Sequence, residues 1–241
     1  MKNDGAGSSA GVSHMTGPIR VVLVACCAHM VTADVLGIGA GSRVLACCVH
    51  EEHGFAPPRL VDDLRADIES LAAEGHFSTA GSGGRDGSVD SMRSALYCDP
   101  IARDRSVGNW DAFFATWERL DLVRQELETA IGLPLLPEME VHYVHYERGG
   151  FYQRHVDDHE VDGAASRRVV SFILYLTPTD APWTSSDGGA LRSYDGEQTP
   201  SDILPESGCL VLFDSCKVEH EVLPTNRART CLIGWFHTPC T

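Results

Sequence analysis

Apolar residues recur at helical spacing twice in the first half of the chain and at strand spacing through the second. From Pro57 onward, Leu60, Val61, Leu64, Ile68 and Leu71 fall three or four residues apart, on one face of a helix, and Gly75 follows as a stop signal. Between Trp110 and Ile131, Phe113, Phe114, Trp117, Leu120, Val123 and Leu127 do the same, and Gly132 and Pro134 close that helix. Core packing is the simplest use of the aromatic stripe. Beyond Pro137 the period drops to two. Val141, Tyr143 and His145 alternate with His142, Val144 and Tyr146, which predicts a strand. More strands are predicted over 168–176, 190–194, 209–214, 219–223 and 230–237, with turn residues such as Gly149-Gly150, Asp187-Gly188-Gly189 and Glu206-Ser207-Gly208 between them. Helices followed by many short strands predict an α+β fold, with the helices packed on a β-sandwich or jelly roll.

The pattern assigns one domain to residues 53–241. Residues 1–18 are rich in Gly, Ser and Ala, and 1–52 as a whole read as a disordered or poorly structured extension. Inside it, Val24-Ala25-Cys26-Cys27-Ala28-His29 is echoed by Leu45-Ala46-Cys47-Cys48-Val49-His50. Two Cys-Cys-x-His units could take a soft metal, but a pair of short buried strands explains them as well. Residues 78–91, mostly Ser, Gly, Asp and Arg, read as a flexible loop.

Charge narrows the choices. The formal net charge is −15, which disfavours a nucleic-acid backbone or an anionic lipid surface as partner, since both need clustered Lys and Arg. Nine cysteines include no CxxC pair and no disulfide-like framework, so free thiols in a reducing compartment are expected. The apolar stretch Val21 to Met30 is too short to span a bilayer. A monomeric cytoplasmic protein is expected, with the nucleus as the other location.

The candidate chemistry sits at His155-Val156-Asp157 and His220. Residues two apart on a strand face the same way, so His155 and Asp157 can share a cavity, and a jelly roll can bring His220 beside them. Two imidazoles and a carboxylate on one face of a metal leave its other positions open, the arrangement of non-haem Fe(II) oxygenases. A structural zinc site would close the shell with a fourth ligand. Eleven histidines make an isolated His-x-Asp pair weak by itself. Arg229 strengthens it: 220–223 read as a strand, Pro224-Thr225-Asn226 as a turn, and Arg229 as the start of the returning strand of a hairpin. A guanidinium there could grip a carboxylate with both nitrogens. Tyr175, at the end of an apolar run, and Tyr146 are phenols that would want polar partners if buried.

These residues resemble the iron(II)- and 2-oxoglutarate-dependent dioxygenases, in the prolyl 4-hydroxylase-like branch that includes the hypoxia-sensing prolyl hydroxylases and bacterial relatives. The likeness is carried by Tyr146-Glu147-Arg148-Gly149-Gly150-Phe151-Tyr152-Gln153-Arg154-His155-Val156-Asp157 and by Phe172 to Leu176. It continues through Asp187-Gly188-Gly189-Ala190-Leu191-Arg192, Gly208 to Phe213, His220-Glu221-Val222-Leu223-Pro224 to Arg229, and Gly234-Trp235-Phe236. Gly54 to Gly75 resembles the family's N-terminal helix, and 1–52 is not covered. The resemblance implies a double-stranded β-helix core with supporting N-terminal helices. It implies Fe(II) on His155, Asp157 and His220, the distal carboxylate of 2-oxoglutarate on Arg229 and Tyr175, Tyr146 lining the pocket, O2 as oxidant and ascorbate as support. The implied reaction releases succinate and CO2 and hydroxylates a prolyl residue of a peptide or protein. A free amino acid or other small molecule is the alternative substrate, and a non-catalytic metal-binding module the alternative class. One departure touches the substrate: where the family often has Arg-x-Asp before an aromatic residue, this chain has Arg93-Ser94-Ala95-Leu96-Tyr97.

Overall fold

The strand β7 (Ser166–Tyr175) explains most of the architecture. Its residues turn from half-buried to fully buried along its length, with no polar face left over. Phe172 and Leu174 point to one layer and Ile173 and Tyr175 to the other. A strand buried on both sides reads as an unbroken apolar run, and that is why the alternation seen in β5 (Met139–Tyr146) fades here.

The computed structural model describes residues 36, 40–46, 48–79, 92–158, 164–194 and 200–240. In chain order the remaining elements are α1 (Ala40–Leu45), β1 (His50–Glu52), α2 (Pro58–Ala73), β2 (Ser78–Thr79), β3 (Arg93–Ser94), β4 (Leu96–Cys98), α3 (Trp110–Ile131), β6 (Phe151–His155), β8 (Leu191–Tyr194), β9 (Ser201–Ile203), β10 (Leu210–Asp214), β11 (Glu219–Val222) and β12 (Arg229–Pro239). They form a seven-stranded sheet in the order β1-β10-β7-β12-β5-β4-β2 and a five-stranded sheet in the order β3-β6-β11-β8-β9. Every pairing is antiparallel. One core lies between the large sheet and the three helices, and a second, holding Tyr146, Tyr175, Val211, Phe213, Leu191 and Val222, lies between the two sheets. This is the α+β jelly roll that the periodicity predicts. No helix among the described residues is long and apolar enough to cross a membrane.

Both long helices start and stop where their residues dictate. Pro58 opens α2, where its missing N–H costs nothing. Asn109 caps α3 by accepting a hydrogen bond from the Ala112 amide, and Gly132 ends it in the left-handed conformation at φ 66°.

Two expectations need correction. The boundary placed at residue 52 falls inside the folded unit. α1 packs on α3, so closely that a Cβ on Gly41 would lie 2.3 Å from the Ala130 methyl carbon, and β1 pairs with β10. These elements are too short to show periodicity. Cys26 to His29 and Cys47 lie outside the described residues, as do 1–18. Second, Ser78–Thr79, the first two residues of the 78–91 stretch, form an edge strand, as do Arg93–Ser94 just beyond it, and 80–91 lie outside the described residues. Two-residue strands take their pairing from their neighbours, here Leu96, Tyr97, Phe151 and Tyr152.

A buried ion pair ties the helical layer to the large sheet. Asp67 of α2 binds Arg103 and the Asn109 amide through Oδ1, and accepts the Tyr143 hydroxyl at 2.8 Å through Oδ2. Both charged side chains are fully buried. Removing one partner strands the other's charge, which costs about 3–5 kcal/mol. Asp67→Ala is therefore expected to lower the urea unfolding midpoint sharply, while Asp67→Asn, which keeps an acceptor, falls in between. An Asp67→Ala midpoint equal to wild type would reject this account.

Candidate metal centre

Strand register brings the two histidines together. β6 and β11 pair with His155 directly opposite His220, and the imidazole centroids lie 4.3 Å apart. Asp157 lies just past β6, where its amide donates to the Ser215 carbonyl at 3.0 Å. One ligand atom from each of the three residues lies within 4.8 Å of the others. Asp157 Oδ1 stands 3.3 Å from His155 Nε2 and 3.7 Å from His220 Nε2.

Surrounding groups prepare each of these atoms for a cation. His155 Nδ1 meets the Gln153 carbonyl at 2.7 Å and His220 Nδ1 meets the Val218 carbonyl at 3.1 Å. A carbonyl only accepts, so both Nδ1 atoms carry hydrogen and both Nε2 lone pairs face the cavity. Burial pushes the pKa of His220 down and favours its neutral, ligating form. Asp157 Oδ2 accepts from the Ser171 hydroxyl at 2.6 Å and from Trp235 Nε1 at 3.0 Å, which leaves Oδ1 for a metal. Burial opposes the charge on Asp157. In the metal-free site a proton on the imidazoles of His155 and His220, together with the Ser171 hydroxyl, outweighs it and holds the carboxyl well below the usual range, and a cation would take that proton's place. Arg168 braces the same residue from behind. It donates to the Asp157 carbonyl at 3.0 Å, pairs with Glu140 at 2.6 Å, and lies over the Trp235 ring at 3.6 Å.

Sequence reasoning passed over this outer ring. Ser171 does leave a trace, as the polar residue in an otherwise apolar run. Ser171→Ala is expected to weaken divalent-metal binding about 10- to 100-fold with little change in fold, because the loss is one hydroxyl. Anaerobic calorimetric titration checks it, and wild-type affinity would remove Ser171 from the metal's support.

Arg229 opens β12, opposite Tyr146 of β5, and is fully buried. Its Nε, Nη1 and Nη2 have no hydrogen-bond partner, and neither does the Tyr175 hydroxyl. The guanidinium carbon lies 4.9 Å from the Tyr146 ring centre and 5.1 Å from that of Tyr175. Burial raises the pKa of both tyrosines, so both remain phenols. A buried cation without a carboxylate is costly, and here its nitrogens and the Tyr175 hydroxyl are left for an anion to satisfy. Tyr146 also lines the cavity of about 390 Å³ that holds His155, Asp157 and His220, so it joins the two halves of the site. The expected hairpin between 220–223 and Arg229 does not form. β11 pairs with β6 and β8 in the small sheet, and β12 with β5 and β7 in the large one. The chain crosses between sheets at Pro224–Thr225, so Arg229 faces the site from the opposite wall.

The donor set fits a divalent metal with open positions. Such an ion on one carboxylate and two neutral imidazoles leaves one positive charge, and Arg229 adds another. A dicarboxylate that chelates the metal and reaches Arg229 neutralises both. At the mouth, Arg93 lies 5.2 Å from the Tyr97 ring centre and 5.3 Å from that of Tyr152. Ala95 packs against the inter-sheet core.

The fold and the site together are those of a jelly roll with a candidate metal centre that keeps open positions. Residues 141–237 match the family model of the 2OG-Fe(II) oxygenase superfamily. The chain is similar to the crystal structure of a Pseudomonas putida prolyl-4-hydroxylase, with a TM-score of 0.69 and 29% identity over 84% of this chain and 98% of that one. It shares its fold with a Trichoplax adhaerens prolyl hydroxylase in complex with a hypoxia inducible factor oxygen degradation domain peptide fragment. That likeness has a TM-score of 0.70 and 22% identity over 83% of this chain and 87% of that one. A prolyl 3,4-dihydroxylase of Ostreococcus tauri is 33% identical over 89 residues, which cover 32% of this chain and 17% of that protein's length.

Proposed function

We propose that this protein is an Fe(II)- and 2-oxoglutarate-dependent dioxygenase that hydroxylates a prolyl residue in a peptide or protein. The observation that carries the chemistry is the buried, unpartnered Arg229 against Tyr146, which lines the cavity of the His155–Asp157–His220 triad. In this reading the triad holds Fe(II), which supplies the oxidising chemistry as 2-oxoglutarate is decarboxylated to succinate and CO2. Arg229 and the Tyr175 hydroxyl bind the distal carboxylate, and Tyr146 packs along the co-substrate. Ser171 and Trp235 fix the Asp157 carboxylate so that one oxygen stays with the metal. Apolar walls, including Ile173, Leu191 and Val222, keep bulk water from the reacting carbon. Ascorbate supports turnover by keeping the iron reduced.

The prolyl assignment is supported by likeness to the Pseudomonas putida prolyl-4-hydroxylase over most of both chains. Arg93, Tyr97 and Tyr152 form the wall on which a peptide would lie. The deciding experiment is mass spectrometry of proline-containing peptides incubated with the protein, Fe(II), 2-oxoglutarate and ascorbate. Gain of one oxygen on proline, dependent on both iron and co-substrate, is expected. Succinate release driven by free proline or another small molecule, with no peptide modified, would overturn the peptide assignment and leave the oxygenase chemistry standing.

A further inference from the structure

Ser215, just past the C-terminal end of β10, anchors Asp157. Cys209, just before the strand's other end, belongs to a different cluster. There β1 and the turn after it run beside the 206–209 turn. One ligand atom each from Glu51, His53 and Cys209 lies within 4.8 Å of the others. Glu206 Oε2 is 3.1 Å from His53 Nδ1, and Glu51 Oε2 is 4.0 Å from His53 Nε2. The two segments are already docked: the Ala56 amide donates to the Gly208 carbonyl at 3.0 Å, and a Cβ on Gly208, at φ 75°, would lie 2.2 Å from the Ala56 oxygen. The Cys209 thiol is fully buried, with a long hydrogen-bond contact of 3.9 Å to the Leu210 carbonyl and another to the Glu52 backbone.

We propose that Cys209, Glu51 and His53, through Nε2, form a second metal site for a divalent cation of the zinc class, with Glu206 holding the His53 Nδ1–H. A sulfur donor with an imidazole excludes magnesium and calcium chemistry and suits zinc. A carboxylate on the far nitrogen orients a ligating imidazole, and water completes the shell. Ligand atoms around zinc stand about 3.3–3.8 Å apart, given bonds of about 2.0–2.3 Å, so small side-chain rotations complete the site. His53 and the two glutamates are surface side chains free to make them. On binding, a metal–sulfur bond forms and the thiol proton leaves to solvent. Burial, then Glu51, Glu206 and Glu52, push the free thiol up to about 12, which argues against a role as a reactive nucleophile. The ion would staple the edge strand β1 to the turn that feeds β10. This inference does not depend on the substrate or on the oxygenase reading.

Cobalt(II) separates the two sites by colour. The His155–Asp157–His220 centre has no sulfur and cannot give a thiolate-to-cobalt charge-transfer band in the near ultraviolet. Titration of the reduced full-length chain under argon should develop that band as one cobalt fills the Cys209 site, in addition to any held by the triad, and His155→Ala should retain it. Cys209→Ser should lose it. His53→Ala and Glu206→Gln, at exposed side chains whose loss does not threaten folding, should each weaken binding at that site at least about tenfold. Absence of the band in the wild-type chain, or its persistence in Cys209→Ser, overturns the proposal. Should Cys209→Ser fail to fold, the two surface variants decide, and wild-type cobalt affinity in both overturns it equally.

Discussion

Asp157→Ala is expected to abolish iron-dependent succinate formation while leaving the two sheets folded. The substitution removes the one negative charge from the donor set. It leaves the Ser171 hydroxyl and Trp235 Nε1 facing an empty space instead of a carboxylate oxygen. Two neutral imidazoles 4.3 Å apart cannot hold a divalent ion in competition with water as three donors can, so metal affinity and turnover should fall together. His155→Ala should behave alike, with one added effect: the Tyr152 ring, now 3.7 Å from the imidazole, loses its stacking partner. Far-ultraviolet circular dichroism establishes that each variant is folded, and succinate release with excess Fe(II) measures the chemistry. Undiminished turnover in either variant would sink the assignment of the triad.

The second large effect is at Arg229. Truncating one partner of a buried, hydrogen-bonded charge pair costs about 2–5 kcal/mol, roughly 30- to several-thousand-fold in affinity. Arg229→Met should therefore raise the apparent Michaelis constant for 2-oxoglutarate by that range and leave Fe(II) binding nearly unchanged. Arg229→Lys keeps the charge but loses the two-pronged grip and should fall between. Stability should move the other way. In the chain without co-substrate the guanidinium is buried among the rings of Tyr146 and Tyr175 with no hydrogen-bond partner, so an apolar side chain of similar length should leave the unfolding temperature equal or higher. 2-Oxoglutarate with a redox-inert divalent metal should raise the unfolding temperature of the wild type and do little for Arg229→Met. A purely structural arginine would give the reverse: lower stability on substitution and an unchanged Michaelis constant.

The legible parts of the fold are those whose signal is local. Leu60 to Leu71 and Phe113 to Leu127 declare their helices because three- and four-residue spacing is visible within a few turns, and Val141 to Tyr146 declares a strand. β1, β2 and β3 are too short for any period, and their pairing comes from β10, β4 and β6. The misread hairpin at Pro224 has the same origin. A strand, a turn and a strand look alike in sequence whether the chain doubles back in one sheet or crosses to another. Here the hydrogen-bonding edges of β12 and β11 are claimed by different sheets, and the crossing carries Arg229 to the opposite wall from His220.

The sequence by itself determined the helices and the long strands, and named His155, Asp157, His220 and Arg229 as candidate donors, because residue type and spacing along one chain are local facts. Only the tertiary structure decided which donors meet and in what state. The β6–β11 register sets His155 against His220, and Ser171, Trp235 and Arg168 reach Asp157 from two further strands. Arg229 stays without a protein anion, and Cys209 comes beside His53. Each of these depends on contacts between residues far apart in the chain, and the entropy of closing such loops is repaid only when both sheets and their two cores form together.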